Sequence, residues 1–90
     1  MATTITTAQT VIGTTPTLIA TGVVGASWLH MHAPAGGNQI YIGDATVSTT
    51  AGFELHKGQT VIVWLPESGK IYGVVASATE TLPWLLTGGR

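Results

Sequence analysis

The chain has no cysteine and very little charge. Without cysteine, no disulfide can support the fold, which removes the usual staple of small secreted domains. Asp, Glu, Lys and Arg make up only 8% of the 90 residues, against about 25% in an ordinary soluble domain. A structural metal would need about four good ligands, and three histidines and four scattered carboxylates are a poor supply. We therefore expect association between copies to supplement a thin hydrophobic core.

These shortages exclude two classes of partner. Lys57, Lys70 and Arg90 are the only Lys or Arg residues, and the net charge is −1, so capture of nucleic acid or of an anionic membrane is not expected. No segment approaches the ~20 apolar residues of a membrane span. The opening, MATTITTAQT, lacks the basic and long apolar regions of a signal peptide. We expect a protein that is made in the cytoplasm and stays soluble.

Short apolar alternations bounded by glycine, proline and polar turn residues predict strands along nearly the whole chain. The predicted strands are 9–13, 17–21, 27–33, 39–42, 45–47, 60–65, 70–77 and 81–87, and the Thr-rich residues 3–7 form either a first edge strand or an extended arm. One turn of helix is allowed at 52–55, and no longer helical periodicity is present. The pattern predicts an all-β fold, a small antiparallel Greek-key or jelly-roll-like sandwich of seven or eight short strands. Residues 1–8 are expected to form an N-terminal arm or an edge strand, and residues 9–90 the single sandwich domain.

The predicted core follows from the alternation of inward and outward side chains on each strand. The inward residues are Val11, Leu18, Leu29, Met31, Ile40, Ile42, Val47, Leu55, Val61, Val63, Leu65, Ile71, Val75, Leu82 and Leu86. Phe53 is predicted to plug one end of the sandwich. Pro83 predicts that the last strand lies at a sheet edge, because proline cannot donate a ladder hydrogen bond.

The tryptophans are the first candidates for an interface. Trp28 and Trp64 lie opposite the inward residues of their strands, so they either complete the core or form an exposed apolar patch that a soluble monomer rarely keeps. Trp84 is expected to cover the end of the core or to meet a neighbour. Thr3, Thr4 and Ile5 belong to the Thr-rich N-terminus, which as an extended arm would add a strand to a neighbouring sheet.

His30 and His32 lie two residues apart on one predicted strand, so their imidazoles share a face. With a third ligand they would form a zinc or nickel site, but His56 lies in a loop with no reason to converge on them. We expect an exposed or interfacial pair beside Trp28, and no metal or other cofactor. A pH-sensitive interface is a further alternative, because imidazole gains its charge near neutral pH.

The second half of the chain combines glycine turns with alternating strands. It reads Ile-Tyr-Ile-Gly at 40–43, then Val47, Gly52, Leu55 and Gly58, then Ile-Tyr-Gly-Val-Val-Ala at 71–76. In these segments the chain resembles the small β-sandwich virion proteins of tailed bacteriophages, notably capsid decoration proteins. The resemblance implies a homo-oligomer, with a trimer as the first guess, that binds the outer surface of the assembled capsid and bridges neighbouring copies of the major capsid protein. It transfers no catalytic or ligand residue.

A receptor- or glycan-binding module of a phage fibre or tail protein is the alternative function. In such a module Trp28, Trp64 or Tyr72 would stack on the ligand. Enzyme activity is not expected, because Glu54 and His56 have no serine in a recognisable catalytic arrangement with them. The Gly-Gly-Asn at 36–38 also lacks the lysine and the helix of a phosphate loop.

Overall fold

The computed structural model describes residues 4–23, 25 and 27–88, and these form an all-β sandwich with no helix. Its strands are β1 (Thr4–Ile12), β2 (Thr17–Thr21), β3 (Ser27–His32), β4 (Ile40–Gly43), β5 (Phe53–Leu55), β6 (Thr60–Leu65), β7 (Lys70–Val75) and β8 (Glu80–Gly88). Sheet A has the order β1-β8-β3-β6, and sheet B has the order β2-β7-β4-β5. All pairs of neighbouring strands are antiparallel.

The strand order is that of a jelly roll. The first four strands pair with the last four in nested fashion, β1 with β8, β2 with β7, β3 with β6 and β4 with β5, as in one long hairpin rolled into two sheets. Each step along the chain from β1 to β4 therefore crosses from one sheet to the other. The predicted fold class is confirmed, and eight is the number of strands.

The core lies between the two sheets and is built from alternate residues of the strands. Sheet A contributes Leu29 and Met31 from its centre, and sheet B contributes Ile40 and Leu55, all with no measurable exposure. The remaining members are Ile12, Ile19, Ala20, Ala33, Ile42, Leu65, Ile71, Val75, Leu82 and Leu86, with Val23, Val61, Val63 and Trp84 packed against them. Most of the predicted inward residues are therefore confirmed.

Two of the predicted core residues are exposed instead. Val11 is 58% exposed and Leu18 is 44% exposed, and their neighbours Ile12 and Ile19 are buried instead. In β2 the register shifts between Leu18 and Ala20, so a bulge turns the adjacent Ile19 and Ala20 both towards the core, which strict alternation does not allow. In β1 two apolar residues follow one another, and the larger Ile12 takes the inward position.

Three strand predictions also need correction. Residues 3–7 were expected as an edge strand or an arm, separate from a strand at 9–13, but 4–12 form one strand, and Thr3 lies outside the described residues. Residues 45–47 form no strand, because Asp44 Oδ1 accepts hydrogen bonds from Thr46 N at 2.9 Å and Thr46 Oγ1 at 2.7 Å and holds a turn. The segment considered for a helical turn is instead strand β5, and Phe53 within it is 60% exposed and plugs nothing.

The prediction that Pro83 marks an edge strand is wrong, because β8 lies between β1 and β3. The ladder between β3 and β8 ends at the pair Met31 and Trp84. Pro83 lies one residue beyond that end and pairs only with Gln9 of β1. The missing N–H of the proline is tolerated where β8 has already lost one of its two neighbours.

The outer face of sheet B is covered by the chain itself. Val74 points away from the core but is only 4% exposed, and Val47 of the 44–52 loop is 5% exposed. Gly52 lies where an added Cβ would come 2.7 Å from Val47 and 2.8 Å from the Tyr41 Cβ. This loop therefore lies closely against β4. Val47, predicted as a core residue, is buried in this outer cover instead of between the sheets.

Candidate functional site

The outer face of sheet A carries the candidate site, which we call the tryptophan face. It consists of the residues that alternate with the core positions on the four strands. These are Ile5, Thr7, Gln9 and Val11 of β1, Thr81, Pro83, Leu85 and Thr87 of β8, Trp28, His30 and His32 of β3, and Thr60, Ile62 and Trp64 of β6. No segment among the described residues folds over it as the 44–52 loop folds over sheet B.

Large apolar side chains on the tryptophan face are exposed to solvent. Trp28 is 52% exposed and Trp64 is 53% exposed, and the two are direct cross-strand partners on β3 and β6. Ile5, Val11 and Ile62 are more exposed still. Directly opposed residues of an antiparallel pair have Cβ atoms about 5 Å apart, so the two indoles form a continuous apolar surface. Such a patch on a small soluble domain marks an interaction site.

The tryptophan face has no formal charge. None of its residues is Asp, Glu, Lys or Arg. The charged side chains within the strands of sheet B include Glu54 on β5 and Lys70 on β7, both exposed. Because a charged group must lose its water when a partner covers it, a face without charge can be desolvated at low cost.

The two histidines of the tryptophan face lie at its polar end. His30 lies between Leu85 and Ile62 in the sheet, and His32 pairs with Thr60. His32 Nδ1 and Thr60 Oγ1 are hydrogen-bonded at 2.9 Å, which fixes the ring and leaves its Nε2 without a hydrogen-bond partner among the described residues. A shallow groove of about 420 Å³ runs beside them, where β3 and β8 separate next to Pro83.

The imidazole pair has no third ligand of the usual kinds in the described part of the chain. No group of three His, Cys, Asp or Glu side chains comes together among the residues with assigned positions. His56 follows β5, in the other sheet, and its backbone N donates to Gln59 Oε1 at 3.0 Å.

The structure separates the predicted interface residues into three groups. Ile5, Trp28, His30, His32 and Trp64 share the tryptophan face. Thr4 is the first residue of β1 and pairs with Gly88 of β8. Thr3 lies outside the described residues. The third group is Trp84 alone.

Trp84 lies on the inner side of β8. It is half-buried against the core, and its Nε1 donates a hydrogen bond to Thr10 Oγ1 at 2.9 Å. This bond joins β8 to β1 across the inner face of sheet A. Trp84 therefore contributes no surface to the tryptophan face.

Two exposed apolar residues of this face were not predicted as interface residues. Ile62 was expected on the side opposite the core, because it alternates with Val61, Val63 and Leu65, but it was not singled out. Val11 was assigned to the core, and only the burial of its neighbour Ile12 reveals its true side.

Comparisons with protein-family models, with curated proteins and with solved structures find no match to this chain. Within the described residues there is also no helix with the length and apolar character needed to cross a membrane.

Proposed function

We propose that this chain is a capsid-stabilising decoration protein of a tailed bacteriophage. It attaches as a homo-oligomer to the outer surface of the assembled head and bridges neighbouring copies of the major capsid protein. The observation that carries the proposal is the uncovered, charge-free tryptophan face with Trp28 and Trp64 at adjacent positions. The resemblance to phage virion proteins supplies the identity of the partner.

The physical basis of attachment is apolar burial repeated by symmetry. Each half-exposed indole offers on the order of 100 Å² of surface, so covering one contributes up to about 3 kcal/mol at ~25 cal/mol per Å². A single copy would bind a shell subunit modestly after the loss of its translational freedom. Linked copies that engage several subunits together gain affinity through effective concentration. The shell gains the same free energy as resistance to disassembly.

No catalytic role is proposed. The jelly roll gives this chain a rigid scaffold on which one flat face is presented, and flat apolar faces suit protein partners more than small substrates. The protein is synthesised in the host cytoplasm and resides on the virion.

The test uses Trp28→Ala, which removes the central indole of the face from the inner strand β3. Purified undecorated heads of the encoding phage are mixed with the protein and sedimented, and bound protein is counted per head. The native chain is expected to saturate at a symmetry-fixed number and to raise the disassembly temperature of the heads. Trp28→Ala should bind at least about tenfold more weakly, as expected for an interface hot spot.

Phe53→Ala is the matched control, because Phe53 is an aromatic residue of similar exposure on sheet B. It should bind heads like the native chain. Equal binding by both variants would remove the tryptophan face from the mechanism, and no binding by the native chain would contradict the proposed function.

A receptor- or glycan-binding module is the second candidate, favoured by the groove beside the histidines. Its rim combines the polar side chains of Gln9, His32 and Thr60 with apolar walls from Pro83 and Leu85, a mixture that suits a sugar ring. In this case the protein would bind host cells or immobilised glycans, and undecorated heads would keep their disassembly temperature.

A further inference from the structure

The two edges of sheet A lack the features that normally prevent edge pairing. Its edge strands are β1 and β6. β1 has nine residues, TITTAQTVI, and β6 has six, TVIVWL. Neither contains a charged residue, a proline or a glycine, and no register shift interrupts their pairing with β8 and β3. Long, regular, uncharged edges present unpaired N–H and C=O groups to other chains.

The edges of sheet B are protected by several of these features. β2 has five residues, follows Pro16 and contains the register shift at Leu18. β5 has three residues and carries Glu54. Short length, a bulge, a proline and a charge are the usual features that prevent an edge strand from pairing with another chain. Among the described residues, both edges of sheet B therefore carry such features and neither edge of sheet A does.

The exposed apolar side chains of the tryptophan face are concentrated at the same edges. Ile5 and Val11 lie on β1, and Ile62 and Trp64 lie on β6, with exposures from 53% to 69%. Only Trp28 lies on an inner strand. Together the four edge side chains expose on the order of 400 Å², comparable to the largest apolar patch of a typical monomer.

We propose that copies of this chain join edge to edge, with β6 of one copy paired antiparallel to β1 of the next. β1 and β6 run in opposite directions within sheet A, since three antiparallel steps separate them. Head-to-tail addition therefore continues the antiparallel alternation of the sheet. It also brings the aliphatic side chains of β1 beside Ile62 and Trp64 of the neighbour.

A closed ring is the arrangement that leaves no edge of sheet A unpaired. A twofold pairing of β1 with β1 would leave both β6 edges exposed. Head-to-tail contacts close into a ring of cyclic symmetry where the rotation between copies closes, and form an open filament where it does not. The homo-oligomer of the proposed function is a closed one, so we place the copies in a ring, in which each copy makes two contacts.

The four apolar side chains are divided between these two contacts, so each contact covers only about 200 Å² of apolar side chain per copy besides the paired strand edge, well below the ~800 Å² per partner of a standard interface. A ring stabilises such small contacts by making all of them at once. The inference deepens the homo-oligomer of the proposed function and rests on it.

Cysteine crosslinking tests the pairing, because the natural chain has no cysteine to interfere. Thr7→Cys on β1 is mixed under mild oxidation with Thr60→Cys, Ile62→Cys or Trp64→Cys on β6, which together sample the register of pairing. Leu18→Cys mixed with Phe53→Cys is the control for the edges of sheet B. The best β1–β6 mixture should crosslink at least about tenfold faster than the control, since pairing raises the effective concentration of the thiols.

Two crosslinking results would overturn the proposal. One is faster crosslinking of Thr7→Cys with itself than with any β6 variant, which would indicate twofold pairing of β1. The other is a rate for every β1–β6 mixture no higher than the control. Light scattering of the native chain gives the number of copies, and a monomer at all concentrations would also contradict the ring.

Thr6→Lys separates this inference from the proposed function. Thr6 is exposed on β1. Lysine on an edge strand is one of the ways in which natural proteins prevent that strand from pairing with another chain. Thr6→Lys should weaken self-association at least about tenfold, because pairing would bury an unpartnered charge, whereas Leu18→Lys on sheet B should leave it unchanged. Trp28→Ala should retain the crosslinks between β1 and β6 but lose binding to phage heads. Failure of the ring with intact head binding would then leave the proposed function standing.

Discussion

Sheets A and B have the same number of strands and share one core, but their outer faces and edges are covered to different extents. In sheet B the outer-face Val74 and the loop residue Val47 are both buried, the 44–52 loop lies against β4, and both edge strands are short and interrupted or charged. Sheet A has a charge-free apolar face that no described segment covers, and two regular edges. The described part of the chain therefore covers the outer face of sheet B in part and leaves that of sheet A exposed.

The few charges reinforce the contrast. With 8% charged residues, their placement matters more than in an ordinary domain. Glu54 and Lys70 lie in strands of sheet B, Asp44 begins its covering loop, and Glu80 at the start of β8 accepts a hydrogen bond from Asn38 N at 2.7 Å. None lies on the tryptophan face. Charge is thus kept where water remains and is absent where we propose that a partner binds.

The largest expected effect compares two neighbouring residues of β3. Leu29→Ala removes a side chain with no exposure from the centre of the core and should lower the free energy of unfolding by about 3 kcal/mol. Trp28→Ala, on the open face, should lower it by less, about 1 to 2 kcal/mol, because only about half of its indole is buried in the isolated protein. Urea unfolding followed by circular dichroism measures both.

Equal losses of unfolding free energy in the two β3 variants would contradict the difference between the two faces of sheet A. The tryptophan face would then be a structural surface, and weak head binding by Trp28→Ala would reflect unfolding. A melting curve that shows Trp28→Ala folded at the temperature of binding is therefore the control that the binding experiment needs.

A smaller effect compares two valines of the outer faces. Val47→Ala opens the cover of sheet B and should cost about 1 to 2 kcal/mol, since two buried methyl groups are lost at ~0.8 kcal/mol each. Val11→Ala makes the same change on the open face, where the side chain is 58% exposed, and should stay within about 0.5 kcal/mol. If Val11→Ala costs as much as Val47→Ala in the isolated protein, sheet A is covered in some way that one copy does not reveal.

The sequence predicted the fold class well because strand alternation and turn residues are local signals. Leu29, Met31, Val61 and Val63 follow strict alternation, and their inward positions are confirmed. The signal failed where tertiary structure overrides alternation. The bulge in β2 turns both Ile19 and Ala20 inward, and the side-chain bonds of Asp44 convert an apparent strand into a turn.

The candidate site was predictable only in part, for a related reason. Alternation placed Trp28 and Trp64 on the side opposite the core, but it could not decide whether another segment covers them. The same reasoning applies to Val74, which is outward and yet only 4% exposed. Exposure of an outer face depends on loops that are distant in sequence, and the pairing of β3 with β6 joined the two tryptophans across 36 positions.

The smallest expected effect concerns the stability of the sheet B cover in acid. Hydrogen bonds from the Thr46 hydroxyl and then from the Thr46 N–H lower the pKa of Asp44 from its ordinary value of 3.8. A lowered pKa means that the ionised carboxylate stabilises the folded state, so the contribution is complete above pH 3.8 and is lost as the pH falls through the lowered pKa. Thr46→Ala removes the hydroxyl donor and should raise the pKa of Asp44 towards 3.8, as followed by NMR titration of its carboxyl carbon. Thr50→Ala is the control, because its hydroxyl bonds to Ser48 and does not touch Asp44. An equal rise of the Asp44 pKa in both variants would show that the whole loop stabilises the turn at Asp44. A rise in Thr46→Ala alone, with faster amide exchange in residues 44–52 at low pH, would show that the Thr46 side chain stabilises it.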